Sequence, residues 1–198
     1  MLVLGLTGSI GMGKSTAAAI FRRLGLPVHD ADASVHALFR AGGTAVAPIS
    51  RRFPEAVVNG AVDRERLGKI VFGDADALRD LEAIVHPLVR RERDRFLDLQ
   101  RRARRRAAVL DVPLLFETGG EGICDYVFVV SAPAFLQRQR VLARPGMTAE
   151  RLSSILGKQM PDREKRRRAD YVLPTGLGRA VTIRAIKKAL RQLGIRHA

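Results

Sequence analysis

Short apolar runs alternate with longer amphipathic stretches along this chain. Leu2-Val3-Leu4-Gly5-Leu6 is apolar throughout, the pattern of a strand covered on both faces. Thr16 to Leu24 reads as the first helix, and Gly25 stops it ahead of a short second strand, Leu26-Pro27-Val28-His29, that ends in Asp30-Ala31-Asp32. Ala107 to Leu115 and Tyr126 to Val130 read as further buried strands, and Tyr171-Val172-Leu173 as a short last one. Strands alternating with helical patterns predict a three-layer α/β fold, a parallel sheet of about five strands with crossover helices.

The stretch between the second and third strands reads as purely helical. Ala33 to Arg40, Ala45 to Phe53, Arg64 to Phe72 and Ala75 to His86 carry the pattern; Pro87 is expected to break the last helix, which resumes from Leu88 to Arg106. A strandless run of this length predicts an inserted helical substrate domain. Later, Pro133 opens a helix, Thr148 to Ala169 is helical and heavily charged with a break at Pro161, and a final helix from Arg179 to Leu193 stops at Gly194.

Between the first strand and first helix stands Gly8-Ser9-Ile10-Gly11-Met12-Gly13-Lys14-Ser15, a G-x-x-x-x-G-K-S loop in the strand-loop-helix setting that phosphate binding requires. Its glycines permit backbone angles closed to other residues, so N–H groups converge on phosphate oxygens at the positive end of the helix dipole. Lys14 is expected to reach the β- and γ-phosphates and the Ser15 hydroxyl to ligate Mg²⁺. The expected nucleotide-contacting surface runs from Gly8 through Thr16.

The 198 residues suffice for one α/β core with helical insertions. No apolar run approaches the roughly 18 residues of a membrane span, and the N-terminal apolar segment, which leads into the loop without basic residues, does not read as a signal peptide. Cys124 is the lone cysteine, so an internal disulfide framework and a cysteine zinc site are excluded, which suits a reducing cytoplasm. The net charge of +15 points to anionic partners. Arg101, Arg102, Arg104, Arg105 and Arg106 form the densest cluster, but no aromatic residues interleave with it, and base-stacking platforms need them. The charge therefore favours a phosphorylated small molecule, with no stable nucleic-acid or membrane partner expected. Self-repulsion favours a monomer, while an anion bound at an interface would favour association.

Chemistry is expected at the carboxyl ends of the strands. Asp30 and Asp32 are spaced to point the same way on an extended segment. One can orient and deprotonate an acceptor hydroxyl while the other caps the following helix, and spacing does not say which. Asp111 lies inside the third apolar run. It reads equally as a magnesium-orienting carboxylate or as a buried acid satisfied by backbone or arginine. Arg140 and Arg144, leading into Thr148 to Arg168, can neutralise charge on a moving phosphoryl group if a mobile segment carries them.

These residues stand in a longer pattern. Gly5-Leu6-Thr7-Gly8 with the loop, Asp30-Ala31-Asp32, Val62-Asp63-Arg64, His86-Pro87, Asp111-Val112-Pro113-Leu114-Leu115-Phe116-Glu117, Gln137 with Arg140 and Arg144, and Gln159-Met160 ahead of Lys165 and Ala169-Asp170-Tyr171 resemble the dephospho-CoA kinase family, in register over nearly the whole chain. The loop alone is shared by many unrelated proteins; the other elements in this order are far more specific. The resemblance implies a P-loop kinase fold and transfer of the ATP γ-phosphoryl group to the ribose 3′-hydroxyl of dephospho-coenzyme A, with Mg²⁺.

It also implies Asp32 as general base, Arg64 and His86 as acceptor-site residues, Arg140 as a phosphate contact and Arg144 as a nucleotide neighbour. The implied organisation is a nucleotide-binding core of residues 1–32, 107–139 and 170–198, an acceptor-binding insertion of 33–106 and a lid of 140–169. Thr175 stands where the family often has Asn near the adenine, and Pro145 where a polar residue is common. Two other readings compete: a different small-molecule kinase of this fold, such as a nucleoside monophosphate or shikimate kinase, and a nucleic-acid-stimulated ATPase.

Overall fold

The computed structural model describes residues 1–195, which divide into two compact units, 1–29 with 100–195 and 30–99. The first is built on a parallel sheet of β1 (Leu2–Thr7), β2 (Val28–Asp30), β5 (Ala107–Asp111), β6 (Tyr126–Ser131) and β7 (Tyr171–Pro174), in the order β2-β5-β1-β6-β7. The central strand β1 pairs with β5 from Leu2↔Ala107 to Leu6↔Asp111 and with β6 from Leu4↔Tyr126 to Thr7↔Val129. Parallel neighbours bring their carboxyl ends to one edge, so Thr7, Asp111, Ser131 and Pro174 all end there.

The apolar runs predicted these strands because both faces of the sheet are covered. Leu4, Leu6, Val109, Phe128 and Val130 are buried, packed with Ile20 and Phe21 of α1 (Lys14–Arg23) and with Ile186 and Leu190 of a C-terminal helix, Arg179–Gln192. Phe128 anchors the layer. Its ring meets Phe21 edge-on at 5.4 Å between centroids and stacks on Tyr171 at 4.8 Å. Between β6 and β7 lie α6 (Ala134–Leu142), α7 (Ala149–Gly157) and α8 (Asp162–Arg168). The third strand is shorter than predicted: β5 ends at Asp111, and the apolar residues after it enter a turn in which Leu115 and Phe116 still pack inward. Asp111 therefore ends the strand instead of lying within it.

The second unit contains α2 (Ala31–Phe39), α3 (Val46–Arg52), a hairpin of β3 (Val57–Val58) and β4 (Ala61–Val62), α4 (Arg64–Val71) and most of α5 (Ala75–Arg102). The C-terminal helix named above is α9. Two expectations fail here. The stretch expected to be strandless holds an antiparallel pair, turned by Asn59 at φ 50° and Gly60 at φ 74°. Positive φ at both central residues matches the right-handed twist of the strands, which is why Asn-Gly makes tight hairpins.

Nor does Pro87 break α5, which runs through it. An internal proline costs roughly 3 kcal/mol, but Leu81, Ile84 and Val85 before it and Leu88 and Val89 after it all pack on the same core of Leu38, Ile49, Phe53 and Leu67. These side chains are partly buried, and their packing on both sides of the ring carries the helix through it. Pro87 and Ala83, whose carbonyl lacks its amide partner, are exposed.

Candidate active site

The phosphate loop leaves β1 at Thr7 and enters α1 at Lys14. Gly8 must be glycine because a Cβ there would lie 2.3 Å from Val130 Cγ2 and 2.8 Å from its carbonyl oxygen. Gly13, the N-cap, has φ 87° and faces Thr175. No side chain caps α1 and no acidic residue stands in its first turn, so the helix start offers its donors and its positive dipole end to an anion. A turn inside the loop, Met12 N–H to Ser9 C=O at 3.1 Å, holds its curvature.

Lys14 Nζ donates to Asp111 Oδ1 at 2.6 Å, where Asp111 is only 3% exposed. Asp111 is thus a buried carboxylate satisfied by a lysine of the loop, where backbone or an arginine was the expected partner. Ser15 follows on the exposed start of α1. A hydroxyl and a carboxylate, with phosphate oxygens and water completing the shell, are the donor set that suits Mg²⁺. Among the described residues, no cluster of three or more His, Cys, Asp or Glu is arranged to hold a metal by protein ligands alone.

Side chains from outside the loop hold its backbone. Gln137 Nε2 donates to Ile10 C=O at 2.8 Å, Gln159 Oε1 accepts from Ile10 N–H at 3.0 Å, and Thr175 Oγ1 donates to Met12 C=O at 2.6 Å. Arg140 lies in α6, where its guanidinium donates to the carbonyls of Gly11 at 3.4 Å and Thr175 at 2.8 Å. Arg144, beyond the end of that helix, is exposed. Thr175, a departure from the family pattern at the sequence level, is therefore a buried prop of the loop.

Beneath the site, Thr7 Oγ1 donates to Pro113 C=O at 2.9 Å. Lys165, fully buried in α8, pairs with Glu117 at 2.8 Å, and the same Glu117 oxygen accepts from Met160 N–H at 2.8 Å. Burial pushes the Glu117 carboxyl up, but the Lys165 ammonium and the Met160 N–H outweigh it and hold the group below its ordinary range.

In the second unit, one of the two aspartates caps a helix. Asp30 accepts from Ala33 N–H at 3.0 Å as the N-cap of α2, leaving Asp32 exposed in the first turn. Asp63 Oδ1 caps α4 through the N–H groups of Glu65 and Arg66, which lower its pKa and set Arg64 at the first helical position. Arg64 donates to His36 Nε2 at 2.6 Å, a partner the sequence did not suggest; His36 lies four residues, one helical turn, after Asp32. His86 is exposed on α5, ahead of Pro87.

Comparison with known proteins supplies the family. Residues 2–177 match the family model described as dephospho-CoA kinase. The dephospho-CoA kinase of Paramagnetospirillum magneticum is 68% identical over 166 residues, covering 84% of this chain and 78% of that protein. Among solved structures, TT1252 from Thermus thermophilus superposes with a TM-score of 0.82 at 40% identity, covering 97% of both chains. The dephospho-CoA kinase from Campylobacter jejuni shares the fold, with a TM-score of 0.66 at 23% identity over 96% of both chains. With the phosphate loop, the Lys14–Asp111 pair and the capped Asp30-Ala31-Asp32 segment in place, the chain belongs to the dephospho-CoA kinase family.

Proposed function

We propose that this kinase uses ATP to phosphorylate the ribose 3′-hydroxyl of dephospho-coenzyme A, yielding coenzyme A and ADP by direct in-line transfer, with the site residues in the following roles. The loop amides and the start of α1 bind the phosphates of ATP. Lys14 moves its ammonium from Asp111 toward the β- and γ-oxygens when ATP enters. Asp32, left uncommitted by the cap at Asp30, orients the acceptor hydroxyl and takes its proton. Arg140 brings positive charge that offsets the transferring group and Arg144 lies beside the nucleotide, with residues 140–169 acting as the lid that excludes water. Residues 33–106 hold the acceptor, with Arg64 and His86 among its contacts.

Ser15 and Asp111 would hold Mg²⁺, which when bound offsets the phosphate charge. No covalent intermediate is needed, so Cys124 is dispensable. The observation that carries the proposal is the Lys14–Asp111 pair: a cation at the loop held ready by a carboxylate at the end of the adjacent strand.

A coupled assay of ADP release tests the acceptor. With dephospho-coenzyme A, adenosine, AMP and shikimate offered separately, release with dephospho-coenzyme A alone supports the proposal. Release with shikimate or AMP in its place, or stimulation by RNA or DNA, refutes it.

A further inference from the structure

Ile10 is held by its backbone from both sides, by Gln159 at the N–H and by Gln137 at the C=O. An N–H only donates and a carbonyl only accepts, so the partner fixes which way each glutamine amide is turned. Gln137 is buried in α6, while Gln159 follows α7. In a trans peptide the C=O and the next N–H point opposite ways, and among the described residues no peptide is cis. A carbonyl held by Gln137 therefore turns the Gly11 N–H away from Gln137, and Thr175 likewise turns the Gly13 N–H away from itself through the Met12 carbonyl.

We propose that Gln137 and Gln159 are positioning residues for ATP: they set the peptide planes on either side of Ile10 and so the direction in which the loop presents its amides. They act through the backbone and touch no substrate. Gln159 acts from the segment 140–169, which the Arg140 bond to the Gly11 carbonyl also ties to the loop, so a rearrangement of either is felt by the other. A flexible glycine-rich loop would otherwise have to be ordered by the nucleotide itself, at the expense of affinity. The inference deepens the proposed function and rests on the loop being the ATP site.

A charge-matched pair of variants tests it. Gln159→Glu keeps an acceptor for the Ile10 N–H, whereas Gln137→Glu removes the donor and sets an oxygen against the Ile10 carbonyl. Both add the same charge beside the loop. Calorimetric titration of the full chain with ADP is expected to show binding roughly 3- to 10-fold weaker for Gln137→Glu than for Gln159→Glu. KM for ATP should rise correspondingly and KM for dephospho-coenzyme A should stay unchanged. The neutral variants Gln137→Met and Gln159→Met are each expected to weaken ADP binding by a similar factor.

Equal affinities for the two glutamate variants, or wild-type affinity in both methionine variants, would overturn the proposal. Thermal melting checks folding. Should the Gln137 variants not fold, the neutral Gln159→Met variant decides: weakened ADP binding supports the proposal, and wild-type affinity overturns it. Wild-type turnover with dephospho-coenzyme A is measured alongside. Its absence would strike the function, while the ADP comparison would still judge the clamp.

Discussion

Lys14 Nζ lies 2.6 Å from Asp111 Oδ1, joining the first residue of α1 to the last residue of β5. The distance follows from strand register. Leu6 of β1 pairs with Asp111, and the loop that starts two residues after Leu6 returns Lys14 over the same strand end.

Asp111→Asn tests the second role of this carboxylate. The amide oxygen still accepts from Lys14, so the fold should be preserved, but the charge that would favour Mg²⁺ is gone. The Mg²⁺ concentration for half-maximal turnover is expected to rise roughly 10- to 100-fold, read by titrating Mg²⁺ at saturating ATP. An unchanged Mg²⁺ requirement would limit Asp111 to holding Lys14.

Asp32→Asn should separate chemistry from nucleotide binding. Turnover is expected to fall by roughly 10²–10⁴ while ADP affinity stays near wild type, since Asp30 and not Asp32 caps α2. Retained turnover would remove Asp32 from the role of base.

The Glu117–Lys165 pair predicts a pH-dependent stability. Glu117 titrates below its ordinary value of 4.5 in the folded chain. Its contribution is therefore fully present above 4.5 and is lost as pH falls through the lower folded value. Glu117→Gln should narrow the difference in melting temperature between neutral and acidic solution, measured by circular dichroism. An identical pH profile would show that the pair does not contribute.

Gly60→Ala isolates backbone strain in the hairpin. A Cβ there meets nothing within 4 Å, yet φ is 74°. The cost should be about 1–2 kcal/mol, read from chemical denaturation. A neutral effect would mean that the turn relaxes to another geometry.

The legible parts of the chain were those where local chemistry and burial agree. Strands buried on both faces are apolar throughout, so Leu2 to Leu6 and Tyr126 to Val130 announced themselves. The apolar run from Ala107 outlasts its strand because Leu115 and Phe116 stay buried after the strand has ended at Asp111. Hydrophobicity reports burial, not extension.

The Asn59-Gly60 turn was visible as a dipeptide, but two-residue strands are too short to show alternation. At Pro87 tertiary packing overrides the local preference for a helix break. In the site, the loop and Asp30-Ala31-Asp32 were legible as patterns, and the cap then separated the two aspartates. Gln137 and Gln159 stand in the family pattern, but their contacts with Ile10 do not, since they reach it across 127 and 149 residues of sequence and no local pattern encodes such a contact.

The central claim is transfer from ATP to one ribose hydroxyl, and the most direct test compares dephospho-coenzyme A with its 3′-deoxy analogue in a single ADP-release assay with product analysis by mass spectrometry. The account predicts stoichiometric ADP and a product heavier by one phosphoryl group with dephospho-coenzyme A, and neither with the analogue. Phosphorylation of the 3′-deoxy analogue at a comparable rate would contradict it.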